Sequence, residues 1–421
     1  MGHLITLLLI TLTLSTSSSS AGPTAITTEA EALLRFKEQV LHDPQQILKG
    51  WSSSDASSLC LWSGVTCNGD GRVHSLSLSS YGLSGALQLH FPWIPSLPFL
   101  HSLDLSANQF TTNLTYPASS STATSSSSES TANNAFHSIN LSYLNLSHNL
   151  LSGSFLFTPA SFFANCSANS PNLQTLDFSH NAISDSIPGE NTDSEAAAGA
   201  GIFSCPSLLY LDLSSNNISG TFPDRVFSMN CRNLTFLDIS SNRVAGSIPS
   251  SLRNCINLIS LNLTSNLFMS ALPDLLADFP SLQKLYLSNN QFTGEISPNL
   301  FAGNLCVSLQ ELDLSRNNLS GSLPPTLSRC NNLRKLKIDH NKLGGNFSAI
   351  ISPINSGLPS LEIVQAAFNG FSGPLPINLI GSCPRLRILD LGANSLSGSI
   401  SDMNFCSPNS NYNALLTYPL E

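Results

Sequence analysis

The chain has 421 residues, a formal net charge of −9 and only 10% charged residues. Its Lys and Arg residues form no basic stripe, so nucleic acid and anionic lipid are poor candidate partners. This length ordinarily predicts about two or three compact domains. That expectation applies only if the sequence carries no repeat, because a repeat array of any length can form one continuous core rather than several separate ones.

The N-terminal segment has the pattern of a secretory signal. An apolar run from Leu4 to Leu14 precedes small residues, so we predict a signal peptide over 1–21. The run is too short to span a bilayer, and no later stretch of about 18 apolar residues exists. We therefore expect a secreted chain with no membrane span after the signal peptide.

Two further features agree with secretion. The ten cysteines are expected to meet an oxidising compartment. Asn-x-Ser/Thr sequons, together with the signal peptide, predict a glycoprotein. The sequons are at Asn113, Asn140, Asn145, Asn165, Asn217, Asn233, Asn262, Asn318 and Asn346.

The pattern Leu-x-Leu-x-x-Asn recurs along the chain. From Asn216 onward the repeated asparagines are 24 to 28 residues apart, a regularity that chance does not produce. An earlier copy at Leu76 has Tyr81 in place of Asn, which makes twelve copies. The repeated asparagines are Asn108, Asn149, Asn181, Asn216, Asn242, Asn266, Asn290, Asn317, Asn341, Asn369 and Asn394.

The period predicts how the repeats stack. Alternating leucines indicate a short strand with its apolar side chains on one face. Strands of successive repeats then lie parallel, about 4.8 Å apart, and their leucines form one continuous core. The Asn side chain is expected to turn inward and satisfy backbone groups where the strand ends, which is a structural role.

A second signature follows each asparagine. Examples are the segments from Leu319 to Pro324 and from Val244 to Pro249, both of the form Leu/Val-x-Gly-x-Leu/Ile-Pro. The glycine permits a backbone turn that a Cβ would hinder, and the proline ends strand pairing.

The combined pattern resembles the plant-specific class of leucine-rich repeats, over roughly residues 29 to 400. The resemblance implies an α/β repeat solenoid, a right-handed curved superhelix with parallel strands on its concave face. It also implies a second short strand at the glycine-containing segment. About twelve repeats are expected over 76–402, and an incomplete repeat or disordered tail over 403–421.

Residues 22–75 resemble the helical N-terminal cap of plant receptor ectodomains. A capping box at Thr28 to Glu31 predicts that an amphipathic helix begins there. Trp51 and the Cys-x6-Cys element match the family's cap, which implies a disulfide between Cys60 and Cys67 and a Trp51 ring that covers the first repeat.

Seven further cysteines each precede the leading leucine of a strand. Some are one repeat apart, so we favour a column of small buried thiols, with disulfides between neighbouring repeats as the alternative. No His accompanies the column, which argues against a metal site. These cysteines are Cys166, Cys205, Cys231, Cys255, Cys306, Cys330 and Cys383; the tenth, Cys406, falls where a thirteenth repeat would begin.

Two stretches interrupt the period. Residues 111–137 are rich in serine, and residues 185–204 contain acidic residues and an Ala/Gly run. Both compositions predict mobile loops.

Catalytic motifs are missing from the sequence. It contains no phosphate-binding loop, nucleophile elbow, zinc-protease motif or kinase signature. We expect no enzyme activity, no cofactor and no metal.

The concave face is the expected binding surface of such a solenoid. Asp177, Asp212 and Asp238 fall at equivalent positions of adjacent repeats, where they form either a solvated ladder or a stripe for Ca²⁺ or a cationic ligand. His148 and His180 are likewise equivalent, as ordinary surface variants or as a pH sensor.

Later repeats offer the most promising patch. Exposed aromatic residues and an arginine on one curved sheet are typical of binding hot spots, although ordinary surface variation is the alternative. Glycans on Asn145 and Asn262 would shield the early and middle repeats and leave this patch clear. Its residues are Tyr286, Asn289, Arg316, Lys337, Asp339, His340, Gln365 and Phe368.

The sequence resembles the ectodomains of plant receptor-like kinases and receptor-like proteins, in the brassinosteroid-receptor and peptide-hormone-receptor group. The resemblance implies recognition of a peptide, steroid or protein ligand, and a co-receptor kinase ectodomain as a further partner. It implies an extracellular location in the apoplast, at the plasma membrane if a full-length receptor form exists. The alternative is a secreted defence protein similar to polygalacturonase inhibitors, which share this repeat.

Overall fold

The computed structural model describes residues 23–89, 91–112, 140–157, 171–188, 202–224, 226–227, 231–348, 358–375 and 385–398. The predicted signal peptide and the tail 403–421 lie outside these ranges. So do three of the cysteines and two of the sequons, namely Cys166, Cys383, Cys406, Asn113 and Asn165.

A thirteen-stranded sheet runs through the described part of the chain. Its first strand belongs to the cap and is antiparallel to the second, and the twelve Leu-x-Leu strands that follow are parallel in sequence order. The exposed side of this sheet is called the inner face below. Its strands are Val65–Cys67, Val73–Ser77, Ser102–Asp104, Tyr143–Asn145, Thr175–Asp177, Tyr210–Asp212, Phe236–Asp238, Ser260–Asn262, Lys284–Tyr286, Glu311–Asp313, Lys335–Lys337, Ile363–Gln365 and Ile388–Asp390.

A second parallel sheet of nine strands forms at the glycine-containing segments, as the resemblance implied. Gly220 illustrates why glycine is needed there: its φ is +92°, and a Cβ would lie 2.7 Å from the carbonyl oxygen of Ile187. The strands are Ser186–Ile187, Ser219–Thr221, Arg243–Gly246, Leu267–Ser270, Gln291–Glu295, Asn318–Ser322, Lys342–Asn346, Gly370–Pro374 and Ser395–Ser397.

Smaller sheets and short helices complete the repeats. Val40–His42, Ser84–Leu87 and Gln109–Thr112 form one sheet, and Ser152–Gly153 pairs with Ala182–Ile183. The α-helices are Pro23–Glu38 and Leu305–Ser308. The 3-10 helices are Ser53–Leu61, Ile94–Ser96, Ile202–Ser204, Cys231–Asn233, Ser250–Asn254, Asp274–Asp278, Pro298–Phe301 and Pro325–Arg329.

One continuous core fills the space between the two sheets, which confirms the predicted solenoid. The leucines of successive inner strands lie directly opposite one another, as Leu211, Leu237 and Leu261 do, and all three are at most 1% exposed. Burial of each such side chain stabilises the fold by about 1.5–3 kcal/mol relative to exposure. No single repeat could achieve this burial, because each leucine is covered by the repeats on either side.

The repeated asparagines turn inward as predicted. The Asn242 amide nitrogen donates to the carbonyl oxygens of Leu213, Ile239 and Ser240 at 2.9–3.1 Å. Its amide oxygen accepts from the backbone N–H of Ile218 at 2.9 Å. The same arrangement recurs at all eleven asparagines, each of which donates to a carbonyl of the preceding repeat.

The cap helix begins earlier than predicted. It starts at Pro23, so Thr28 lies inside the helix and the capping-box prediction is wrong. Glu29 is fully buried instead, and its carboxylate accepts from the Arg72 guanidinium at 2.8 Å and from the Val73 N–H at 3.0 Å. The buried ion pair therefore joins the helix to the first repeat.

Aromatic packing closes the end of the array. Trp51 is 1% exposed, its ring stacks on Trp62 at 5.4 Å between centroids, and its indole N–H donates to the Ser63 carbonyl. A disulfide joins Cys60 and Cys67, whose Cα atoms are 5.6 Å apart.

The favoured interpretation of the cysteine column as free thiols is wrong for the described cysteines. Disulfides join Cys231 to Cys255 and Cys306 to Cys330, and Cys205 is disulfide-bonded as well. The spacing between neighbouring repeats explains this: the Cα atoms of Cys231 and Cys255 are 4.8 Å apart, within the range that a disulfide spans. The alternative of disulfides between neighbours holds.

The first residues of both predicted loops belong to regular repeats instead. Residues 111 and 112 belong to the strand Gln109–Thr112, and residues 113–139 lie outside the described ranges. Asp185 is 2% exposed, and its carboxylate accepts from the backbone N–H groups of Phe155, Leu156 and Phe157. Residues 185–188 are thus part of the repeat, because Asp185 satisfies backbone donors of the previous one; residues 189–201 lie outside the described ranges.

Replacement of a repeated asparagine should destabilise the solenoid strongly. We expect Asn242→Ala to lower the unfolding free energy by at least about 2 kcal/mol, because buried carbonyl and N–H groups lose their partners. Urea denaturation followed by circular dichroism would measure this. The exposed Asn331→Ala is the control, and equal stability of the two variants would contradict the structural role.

Candidate functional site

Side chains, not backbone groups, are what the inner face offers to a ligand. All but the first and last strands of the described sheet pair with neighbours on both sides, so their N–H and C=O groups are already used. Most repeats present outward the two residues before the first leucine of the strand, the residue between the two leucines, and the residue immediately before the asparagine. Equivalent residues lie opposite one another in register, as Tyr286 and Asp313 do.

The residue immediately before each repeated asparagine, or before Tyr81 in the first repeat, adopts a left-handed conformation. Its φ lies between +51° and +64° in all twelve repeats, yet none of the twelve is glycine. This left-handed column turns the chain so that the asparagine points inward while the preceding side chain stays outside. Sequence reasoning missed it because the usual glycine signal is missing. The column comprises Ser80, Ala107, His148, His180, Ser215, Ser241, Ser265, Asn289, Arg316, His340, Phe368 and Ala393.

The eight residues predicted as a binding patch are called the late patch. They lie on four consecutive inner strands and the turns that follow. Tyr286, Lys337 and Gln365 occupy one register column, interrupted by Asp313. The remaining late-patch residues are in or next to the left-handed column, namely Asn289, Arg316, Asp339, His340 and Phe368.

The apolar centre of the late patch is a stacked pair of rings. Phe368 is 55% exposed, and its ring lies 4.4 Å from that of His340, with 23° between the planes. His340 Nδ1 lies 2.8 Å from a carboxylate oxygen of Asp339, which holds the imidazole in place. Arg316, on the preceding turn, is exposed. An aromatic surface thus lies beside a cation.

A polar network that the sequence did not reveal borders the late patch. The Tyr286 hydroxyl donates to Glu311 at 2.5 Å, and the Lys335 ammonium group lies 3.0 Å from the other carboxylate oxygen of Glu311. Burial and the neighbouring Glu311 raise the pKa of Tyr286. Burial alone would raise the pKa of Glu311, but hydrogen bonds from Tyr286 and Lys335 lower it below its ordinary value. The Tyr286 hydroxyl is therefore engaged, and its ring is what remains for a ligand.

The aspartate ladder has a structural role in each repeat. Asp177, Asp212 and Asp238 are register neighbours, and one oxygen of each accepts the backbone N–H two residues later. Asn145 and Asn262 make the same turn with an amide oxygen. Within the described ranges, no group of His, Cys, Asp or Glu is arranged to hold a metal ion, so the Ca²⁺ interpretation gains no support.

Burial and mutual repulsion act on this ladder. Burial raises the pKa of Asp212 and of Asp238, and the neighbouring aspartate adds to the increase in each case. The hydrogen bonds from Ser214 and Ser240 oppose these shifts without cancelling them.

The two histidines of the left-handed column touch. The rings of His148 and His180 stack at 4.1 Å between centroids, with 11° between their planes. The pH-sensing hypothesis for this pair stays a prediction.

The asparagines of the described sequons differ in solvent exposure. Asn140, Asn233, Asn318 and Asn346 are exposed, and Asn217 is half-buried. Asn145 and Asn262 are half-buried on the inner face, and the Asn262 amide nitrogen donates to Asp238 at 2.7 Å. Use of any of them as a glycosylation site stays a prediction.

Family models match several parts of the chain. The leucine-rich-repeat N-terminal domain matches residues 26–68. Leucine-rich-repeat models match residues 140–162, 169–187, 204–221, 232–292 and 280–325.

Similar proteins come from Arabidopsis thaliana and include a protein kinase. The chain is 34% identical over 210 residues to serine/threonine-protein kinase BRI1-like 1 of Arabidopsis thaliana, a match that covers 48% of this chain and 16% of that protein. It is 44% identical over 86 residues to Protein MALE DISCOVERER 2 of Arabidopsis thaliana, which covers 20% of this chain and 12% of that protein. The chain thus spans about a sixth or less of the length of these relatives.

Solved structures of receptor ectodomains share the fold. The Arabidopsis receptor kinase HAESA, in complex with the peptide hormone IDA and the co-receptor SERK1, superposes with a TM-score of 0.63 at 28% identity, over 89% of this chain and 59% of that one. The plant peptide hormone receptor RGFR1, in complex with RGF2, superposes with a TM-score of 0.54 at 27% identity, over 75% and 46% of the two chains.

Relief of repulsion in the aspartate ladder should stabilise the protein at neutral pH. A carboxyl group with a raised pKa contributes stability that is present at acidic pH and is lost as pH rises through the folded-state pKa. We expect Asp212→Asn to gain up to about 1 kcal/mol over the parent at pH 7, and to lose this advantage as the pH falls towards 4. Thermal unfolding between pH 4 and 8, on protein made without N-glycans because the substitution creates an Asn-x-Ser sequon with Ser214, would measure the difference.

Asp104→Asn is the matched control for that measurement. Asp104 makes the same turn, but its register neighbours are the uncharged Ser77 and Asn145. A pH-dependent gain of equal size in both variants would contradict repulsion as the cause.

Proposed function

We propose that this chain, a leucine-rich-repeat solenoid similar to the ectodomains of plant receptor kinases, is an extracellular recognition domain that binds a peptide at the late patch. The observation that carries the proposal is the exposed Phe368 ring, stacked on His340 beside Arg316. An exposed aromatic pair next to an arginine is the composition of interface hot spots.

The chemistry of the late patch favours a particular kind of peptide. The ring pair suits an apolar or aromatic side chain, and Arg316 with Lys337 suits a carboxylate. Four neighbouring strands span about 14 Å, which corresponds to about four or five residues of an extended peptide crossing the strands. An open sheet of this kind exposes a long row of side chains, which matches a linear ligand better than a compact one.

The similar receptors support this proposal by analogy. The HAESA structure contains a peptide hormone and a co-receptor, and the RGFR1 structure contains RGF2. We extend the proposal to a co-receptor kinase ectodomain as a second partner. An extracellular location agrees with the disulfides between neighbouring repeats, which persist in oxidising compartments. Among the helices of the described ranges, none combines the length and apolarity that crossing a bilayer requires.

The relative BRI1-like 1 is a serine/threonine-protein kinase, but kinase activity is not proposed for this chain. The ranges that the structure describes consist of the cap and the repeats, and no kinase domain lies in them. Recognition of a ligand is therefore the function that the described residues can serve.

Substitution of Phe368 should separate binding from folding. Peptides selected from a random dodecapeptide phage library on the parent chain should include a class that binds Phe368→Asn at least about tenfold more weakly. The unfolding midpoint of this variant should stay equal or rise, because asparagine tolerates the left-handed backbone better than phenylalanine does. Biolayer interferometry and thermal unfolding would give the two readouts.

Ala107→Asn provides the matched control. It is the same kind of change in the same left-handed column, far from the late patch. We expect it to leave peptide affinity unchanged. The proposal fails if every selected peptide binds Phe368→Asn as tightly as the parent.

A further inference from the structure

A second surface on the inner face lies away from the late patch. Five neighbouring residues form what we call the middle strip: Leu209, Tyr210, Thr235, Phe236 and Ile259. Leu209 and Ile259 are 39% and 40% exposed. The Tyr210 and Phe236 rings are register neighbours that stack at 4.2 Å with 4° between their planes. The strip is therefore a continuous apolar and aromatic surface across three repeats.

The repeats on either side of the strip carry polar residues at the equivalent positions. On the N-terminal side, Gln174 and Thr175 occupy the positions of Leu209 and Tyr210. On the C-terminal side, Gln283 and Lys284 do so. Packing of the core does not require large apolar residues at these outward positions, because polar residues fill them in the two flanking repeats. Exposure of the apolar Leu209 and Ile259 side chains to water is unfavourable. A glutamine at either position would serve the fold equally well.

Carboxylates line one side of the middle strip. Asp212 and Asp238 are the last residues of the strands that carry Tyr210 and Phe236, and Asp177 is the last residue of the preceding strand. Their carboxylates accept hydrogen bonds from neighbouring serines, from the Tyr210 hydroxyl and from the Asn262 amide. The ion pairs of the described ranges lie elsewhere, so no lysine or arginine in those ranges neutralises the three carboxylates.

Backbone groups of the strip are already engaged. The Leu209 carbonyl accepts from the N–H groups of Thr235 and Phe236, and the Thr235 carbonyl accepts from Ile259 and Ser260. A partner must therefore bind through side chains. It needs an apolar part for the rings and aliphatic groups, and a positive charge for the carboxylates.

We propose that the middle strip is a second recognition surface, and that it takes a peptide segment in which a lysine or arginine lies next to an aromatic or aliphatic residue. The inference rests on the proposed function in one respect, that the inner face binds peptide. Charge complementarity selects this occupant, because the strip borders three carboxylates without a cation on a chain of net charge −9. A guanidinium can also lie against the aromatic rings while it pairs with a carboxylate.

The chain itself supplies variants that should fold. Leu209→Gln with Phe236→Ser copies side chains that stand at the equivalent positions of other repeats, as Gln174 and Ser260 do. Asp212→Asn with Asp238→Asn copies Asn145 and Asn262, which make the same turn. Asp104→Asn is the control in the same column, outside the strip.

The experiment uses the random dodecapeptide phage library as probe, panned on the full chain secreted into a bacterial periplasm, where disulfides form and no N-glycans are attached. This host is needed because each Asp→Asn change creates an Asn-x-Ser sequon. We expect one enriched class to carry lysine or arginine next to an aromatic or aliphatic residue. Peptides of this class should bind each double variant at least about tenfold more weakly and Asp104→Asn equally well. Their affinity should fall as salt rises from about 50 to about 500 mM, because the carboxylates are partly exposed to solvent.

Two outcomes would overturn the inference. One is the absence of this composition among the enriched peptides, and the other is undiminished binding of such peptides to either double variant. The proposed function has a separate readout. If all selected peptides lose affinity only for Phe368→Asn, the late patch is supported and the strip is rejected. If all lose affinity only for the strip variants, the strip is supported and the late patch is rejected.

Discussion

The inward-pointing amide of the repeated asparagine is the interaction on which the rest of this structure depends. The chain must turn sharply after each inner strand, and the turn leaves backbone groups facing the core. One amide side chain satisfies four of them, and some belong to the preceding repeat, as for Asn242. Each turn is thereby tied to its neighbour. The register of the inner strands, and with it every column of outward side chains, follows from this bond pattern.

Much of the architecture could be predicted from the sequence because it depends on periodicity. Alternating leucines determine a strand, and the period determines that strands stack in parallel. The features that could not be predicted depend on three-dimensional distance. Cys231 and Cys255 are one repeat apart whether they are thiols or a disulfide, and only the separation of their Cα atoms decides between the two. Glu29 fits a capping box in the sequence, yet it is buried against Arg72.

The residues of the late patch could be predicted from the repeat pattern, because the strand register places equivalent outward positions of successive repeats side by side. It could not reveal how the side chains engage one another. Tyr286 gives up its hydroxyl to Glu311, a residue 25 positions later that carries no motif of its own. The middle strip was also overlooked, since Leu209 and Ile259 look like ordinary core leucine and isoleucine until their exposure is known. Comparison of equivalent positions along the array would have marked both as unusual.

The left-handed column separates the requirements of folding from those of recognition. Serine, alanine, histidine, asparagine, arginine and phenylalanine all occupy this position in one or another repeat, so the repeat forms with side chains of very different chemistry there. That side chain nevertheless projects from a rigid backbone at an outward position. Single codon changes in this column can therefore alter ligand preference without compromising the scaffold. A gene family built on such repeats can diversify its specificities rapidly while it retains one architecture.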